Sequence, residues 1–391
     1  MGLRGREVKK YIFRKKRNIF LASVLDAVGF LVCRFFRRPR KRPAGRGYRT
    51  ILVIRMDHLG DVLWTTGVPK VLRESFPQAR VVFLTSSWTA GLLEKNPFVD
   101  EVLLFDAPWF SKKRYPRSSQ SLSFFKLISV LRKKKIDLGL GLRGDLRENL
   151  LMALGGIRER IGYGVTGGGF LLTREAPYRK DAHPSERTGE LLGALGVKVS
   201  SLAPQLYLPE EEEEKLADRF REWGIVPGEK YVGFQAGAGT PAKEWPKEHG
   251  VEWMRRLARR FPDCRVILLG KSAEGRYDFG VPSDGLPQVI DLTGRTALRE
   301  LCFLLRRLEA FVGPDSGPTQ LAAALGIPTV FLYSGTNSLE AWMRPSETST
   351  VLKHEVPCAP CGLEICKVKG HPCMTGIKPE EVIKALEGCL R

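Results

Sequence analysis

Long unbroken apolar runs, acidic residues and thiols are all in short supply in this 391-residue sequence, and each shortage narrows what the protein can be. The apolar stretch from Ile19 to Cys33 is interrupted by Asp26 and falls short of the ~20 residues that a membrane-spanning helix needs. Basic clusters flank it on both sides and no small-x-small cleavage site follows, so it does not read as a secretory signal. Without such a signal, disulfides among the eight cysteines are not expected. The glycine loop GAGTPAKEWP is neither a Walker loop nor the dinucleotide pattern Gly-x-Gly-x-x-Gly, and there is no internal repeat or low-complexity linker. Acids number 43 against 63 Lys and Arg, a net charge of +20. Most of that excess lies in one arm, where Met1 to Thr50 holds 16 Lys/Arg against only Glu7 and Asp26. A basic helix with aliphatic and aromatic residues suits an anionic membrane surface. The same arm could equally pack on the body with a solvated basic face. Nucleic acid is not an expected partner, because the body carries no matching basic motif.

What is present is an alternation of short β-branched runs with helical patterns. TILVIR (from Thr50), RVVFLT (Arg80–Thr85), EVLLFD (Glu101–Asp106) and IDLGLGL (Ile136–Leu142) read as strands. Helical patterns lie between them, including one around Phe124–Lys135. After Leu206–Pro209, five glutamates (Glu210–Glu214) suit the positive end of a new helix. The alternation then resumes with YVGFQ, RVILLG, PQVIDLTG, EAFVG and PTVFLY. Such alternation implies parallel pairing. The reading is α/β: two Rossmann-like doubly wound domains facing an interdomain cleft, with a basic N-terminal helical arm. Its divisions are an arm at 1–48, a Rossmann-like domain at 49–205, a linker at 206–228 and a second Rossmann-like domain at 229–391.

Three strand ends carry chemistry. In VGPDSGPTQLAAALGIP, a buried strand stops at Pro314 and a helical pattern runs on to Gly326. Asp315 or Ser316 can cap that helix, its free amides favour an anion, and Gly317 lets a ligand approach the backbone. After YVGFQ, the loop GAGTPAKEWP places Thr240 and Lys243 before Pro246, so that a cation could face the same anion. After TILVIR, Gly60-Asp61 offers a carboxylate able to act as a general base, or alternatively to cap a helix beginning at Val62. Arg143, directly after IDLGLGL, joins Gly60 and Asp61 as a binding-site candidate. Cys358, Cys361, Cys366 and Cys373, with His371 nearby, form CAPCGLEICKVKGHPC, which reads as a thiol-rich structural loop or a zinc knuckle. Cys33, Cys264, Cys302 and Cys389 sit among apolar neighbours and read as core fillers or bystanders.

Together these positions resemble glycosyltransferase family 9, the ADP-heptose:lipopolysaccharide heptosyltransferases. The resemblance runs from about Thr50 to Leu390 through ILVIRMDHLGDVLWTT, GAGTPAKEWP, LTGRTALREL, FVGPDSGPTQLAAALGIPTVFLY and CAPCGLEICKVKGHPCM, in that order. It implies a GT-B fold and inverting chemistry with no required cofactor or metal. It further implies a cytoplasmic enzyme, peripheral to the inner face of the membrane, with ADP-heptose as donor and a lipopolysaccharide core glycolipid as acceptor. Carried over by position, Asp61 resembles the catalytic base and Lys243 the lysine that holds the donor diphosphate. Ser316 and Gly317 resemble the phosphate cradle, Asp315 a donor-sugar contact and Glu274 an acid on the donor ribose. Two departures stand out. Gln320 replaces the histidine of Asp-Ser-Gly-Pro-x-His, and an amide cannot carry that ring's proton charge. The Thr-x-Pro that usually follows Gly-Asp is altered to Thr65-Thr66-Gly67-Val68-Pro69. The alternatives are a transferase using another nucleotide sugar, or a non-catalytic basic protein of the membrane.

Overall fold

The computed structural model describes residues 11–13, 15–36, 47–111, 118–199, 202–270, 288–343 and 348–390. The chain divides into two compact units, one of residues 1–57 and 64–205 and the other of 58–63 and 206–391. The short segment His58–Leu63 therefore belongs with the C-terminal half, although sequence order places it in the N-terminal domain.

In the first unit six parallel strands form one sheet: β1 (Thr50–Ile54), β2 (Arg80–Thr85), β3 (Glu101–Leu104), β4 (Leu138–Gly141), β5 (Glu159–Gly162) and β6 (Arg174–Glu175). Their spatial order is β3-β2-β1-β4-β5-β6. A central parallel strand is covered on both faces, which is why β1 is a continuous apolar run. Ile51 and Val53 point to one side, with Val81, Phe83, Leu138 and Leu140. Leu52 and Ile54 point to the other, with Val82, Leu84 and Met152. Each such fully buried side chain contributes about 1.5–3 kcal/mol.

The second unit repeats the plan. Its strands are β7 (Lys230–Gln235), β8 (Cys264–Leu269), β9 (Val289–Asp291), β10 (Ala310–Pro314), β11 (Thr329–Tyr333) and β12 (Ser349–Lys353). They lie in the order β12-β11-β10-β7-β8-β9, all parallel, which is the winding of the first sheet listed from its other edge. Val232 and Phe234 of β7 pack on Trp253, Met254 and Leu257 of the helix Lys247–Arg260, and Leu386 of the helix Pro379–Leu390 closes that core. Gly326, at φ 80°, ends the helix Gly317–Ala324 in the left-handed conformation that favours glycine.

Ahead of the first sheet, the arm contains one 21-residue helix, Lys16–Phe36. Among the described residues no helix is long and apolar enough to cross a membrane.

Candidate active site

Open parallel sheets of this winding bind ligands beyond the carboxyl ends of the strands where the order reverses. That place falls between β1 and β4 in the first unit and between β7 and β10 in the second. In the second unit Val312 pairs with Phe234, so the loops after β7 and β10 leave the sheet side by side. Gly313 permits this crowding: a Cβ there would stand 2.6 Å from Thr319 Oγ1 and 2.8 Å from Gln235 Cβ.

The two loops meet in a buried ion pair. Lys243 Nζ donates to Asp315 Oδ2 at 2.6 Å, with Asp315 only 5% exposed. The other carboxylate oxygen, Oδ1, accepts from Gln320 Nε2 at 3.0 Å. Asp315 is thus satisfied on both oxygens, as a buried charge must be. Neither Asp315 nor Ser316 caps the following helix by side chain, contrary to expectation. Ser316 is the N-cap residue, but its hydroxyl engages Thr319 Oγ1 at 3.0 Å instead. No side chain caps the first turn, so the amides of Gly317 and Thr319 stand at the positive end of the helix, where an anion is favoured.

Asp61 is carried on a short helix that packs against this helix start. It occupies the third position of the helix Leu59–Leu63, so the alternative reading as N-cap of a helix beginning at Val62 is overturned. Burial of Val62 and Leu63 holds the short helix down, and Val62 N–H donates to His58 O at 3.0 Å. A Cβ on Gly60 would fall 2.6 Å from Gln320 Oε1, and one on Gly317 would fall 2.8 Å from Leu59 Cβ. Gly317 therefore makes room for Leu59, a role different from the ligand approach read from the sequence. Gly60, Asp61, Lys243, Asp315, Ser316, Gly317 and Gln320 are brought into one neighbourhood of the second unit. Thr240 is part of it as the residue whose carbonyl accepts from Lys243 N–H at 3.0 Å. Glu274 lies outside the described residues.

The cysteine-rich segment joins the same neighbourhood through its backbone. Ala242, the neighbour of Lys243, donates its N–H to Glu364 O at 3.0 Å, and its carbonyl lies 3.0 Å from His371 Nε2. Cys361 and Gly362 donate to Gly335 O and Thr336 O just past β11. Cys358, Cys361, Cys366 and Cys373 are free thiols, and among the described residues no cluster of three or more His, Cys, Asp or Glu is placed to hold a metal.

Arg143 sits in the first unit, at the β1/β4 reversal. Its Nη1 donates to Asp57 Oδ2 at 2.7 Å, and its guanidinium stacks 4.2 Å from the centre of the Phe110 ring. Asp57 Oδ1 accepts from Arg55 Nε at 2.6 Å, and Arg55 Nη1 donates to Leu142 O at 2.8 Å, so the ends of β1 and β4 are tied together. Glu148 is wholly buried beside this network, and neither of its carboxyl oxygens has a hydrogen-bond partner among the described residues. Burial first, and then the nearby Asp57 charge, push its pKa up to about 8, so it is a neutral acid at pH 7. Arg55, Asp57 and Glu148 were not singled out from the sequence. The signal available was a charged residue directly following each of two apolar runs, at TILVI-R-M-D and GLGL-R-G-D.

A family model described as Glycosyltransferase family 9 (heptosyltransferase) matches residues 124–371. Lipopolysaccharide heptosyltransferase 2 of Salmonella typhimurium is 27% identical over 297 residues, 72% of this chain and 82% of that protein. Among solved structures, a glycosyl transferase family 9 protein from Veillonella parvula matches with TM-score 0.74 at 23% identity, covering 89% of this chain and 99% of that one. The ADP-heptose lps heptosyltransferase II of Escherichia coli matches with TM-score 0.68 at 24% identity, covering 87% and 98%. These structural likenesses show the fold: two parallel six-stranded α/β units in the GT-B arrangement.

Proposed function

Because the chain belongs to glycosyltransferase family 9, we propose that it moves a heptose from ADP-heptose to a lipopolysaccharide core acceptor with inversion at the anomeric carbon. The observation that carries this reading is the Gln320 side chain, whose amide nitrogen holds Asp315 and whose amide oxygen packs on Gly60, next to Asp61. A carboxylate suited to accept a proton and a cationic, amide-rich corner suited to a diphosphate therefore share one place.

In the proposed reaction an acceptor hydroxyl attacks the anomeric carbon from the face opposite the nucleotide while its proton passes to an Asp61 carboxylate oxygen. The bond from that carbon to the diphosphate oxygen breaks, and its electron pair leaves with ADP. Charge builds on the departing phosphate, where Lys243 Nζ and the amides of Gly317 and Thr319 are set to meet it. Lys243 shares its three donors between Asp315 and the phosphate, and Gln320 keeps the second Asp315 oxygen satisfied meanwhile. Thr240 shapes the Lys243 loop, and Ser316 presents the helix start. Gly60 and Arg143, each in its own unit, are acceptor-binding candidates. A positioned base contributes about 10²–10⁴-fold, equivalent to about 3–5 kcal/mol of barrier.

Replacing Asp61→Ala should cut turnover by about that factor while ADP binding, measured by titration calorimetry, stays unchanged. Near-parental turnover in this variant would take Asp61 out of the mechanism. Donor choice is tested by titrating ADP-heptose, other ADP-sugars and UDP-sugars; a preference for a UDP-sugar would assign the site to a different transferase. A lipid-linked acceptor places the enzyme at the cytoplasmic face of the membrane.

A further inference from the structure

The helix Lys16–Phe36 presents two unlike faces. One is fastened to the first unit. Ala22 and Asp26 are buried, and a Cβ on Gly29 would fall 2.4 Å from the Phe170 ring. Asp26 is the fastening: Oδ2 accepts from Tyr11 O–H at 2.9 Å and Oδ1 from Gly168 N–H at 2.6 Å. Ile12 N–H donates to Val165 O at 3.0 Å, and Phe30 meets Phe170 edge-on with ring centres 6.3 Å apart. A carboxylate buried in the middle of an apolar helix is costly unless so paired, which fixes the side that faces the protein.

At 100° per residue, Phe20, Leu21, Val24, Leu25, Val28 and Leu31 fall on one arc of about 140°, opposite Ala22, Asp26 and Gly29. All six are exposed, Phe20 by 66% and Leu31 by 60%. Water meets here a continuous apolar strip about 16 Å long on a helix end-to-end about 30 Å. Lys15, Lys16 and Arg17 stand at one end. Arg34 falls in its last turn, and the sequence beyond Phe36 continues with Arg37, Arg38, Arg40, Lys41 and Arg42 without an acid. The helix's single carboxylate is the one turned inward, so the outward face carries nothing to repel anionic headgroups.

We propose that this face docks on an anionic bilayer, with the helix lying in the interfacial plane, its apolar strip among the upper acyl chains and its basic flanks at the phosphates. The Asp26 fastening sets the first unit on the membrane in a defined orientation. Combined apolar strip and basic flanks are the two signals that stable surface binding requires. The inference rests on the transferase reading only in that a lipid-linked acceptor would lie on the same surface; the docking itself is tested without substrate.

The test is flotation of the full chain with vesicles of phosphatidylglycerol and phosphatidylethanolamine, against vesicles of phosphatidylcholine alone. The parent should float with the anionic vesicles, and Val24→Glu/Val28→Glu should bind at least about tenfold more weakly, since both positions are exposed and the change sets charge into the acyl layer. Phe20→Trp should bind like the parent and be quenched by brominated acyl chains. Equal binding by the double variant, absence of quenching, or a parent dimer in sedimentation that the double variant dissociates would each overturn the proposal. Turnover on a soluble delipidated acceptor separates the two readings. With docking correct it is the same in parent and double variant, whereas no turnover by a vesicle-bound parent counts against the transferase reading alone.

Discussion

Gln320 stands where family 9 often has histidine, and it does so by holding a carboxylate in place with an uncharged donor. Its Nε2 reaches Asp315 Oδ1 at 3.0 Å, and Lys243 occupies the opposite oxygen. Truncation by Gln320→Ala leaves a buried acceptor unmet, a loss of about 1–3 kcal/mol. ADP affinity should accordingly fall about tenfold in calorimetric titration, while Gln320→His, which retains a ring N–H, should stay within a few-fold of the parent. Full ADP affinity in the alanine variant would mean that Asp315 does not depend on this amide. The residues themselves were legible in the sequence, since Lys243 lies in the loop after one apolar run and Asp315 and Gln320 at the helix start after another. Their mutual contacts were not: no spacing says that Gly317 yields its space to Leu59, 258 positions earlier in the chain, or that Ser316 turns to Thr319 and leaves the helix uncapped.

The cysteine-rich segment between β12 and the C-terminal helix works as a brace. It reaches the loop carrying Lys243 at Ala242, whose N–H donates to Glu364 O and whose carbonyl meets His371 Nε2. Removing the ring by His371→Ala should loosen Lys243 without touching the base. The expected result is an approximately fivefold rise in KM for the nucleotide sugar, corresponding to one hydrogen bond of about 1 kcal/mol, with kcat held near parental. An unchanged KM would reduce this segment to packing. The strands with continuous apolar runs were readable from the sequence because burial on both faces demands such runs. β5, β6 and β12 were missed: ERIG and RE are short and polar, and the exposed positions of STVLK mark an edge. β6 and β12 are edge strands that meet solvent on one side, and β5, next to the edge, is only half buried, so their sequences carry little of the signature that identifies central ones.

At the scale of the molecule, the chain builds one winding order twice, and each copy carries its own core and its own polar corner. The first copy encloses an acid, Glu148, neither of whose carboxyl oxygens has a hydrogen-bond partner among the described residues. The Glu148 carboxyl has a pKa near 4.5 when solvated and about 8 when folded. Between those values the folded unit keeps a proton that the unfolded chain gives up. The stabilisation is complete below about pH 4.5, drains away as pH rises towards 8, and changes no further above it. Glu148→Gln keeps the shape of the neutral acid and removes the titration, so the melting temperature of that variant should vary less from pH 6 to pH 9 than the parent's. A parallel pH course in both proteins would refute the buried proton. The calorimetric consequence is that melting loses its unity in base. A thermogram with a single peak in mildly acidic buffer should split near pH 9 into an early endotherm from residues 64–205 and a later one from 206–391, and saturating ADP should move only the later peak upward.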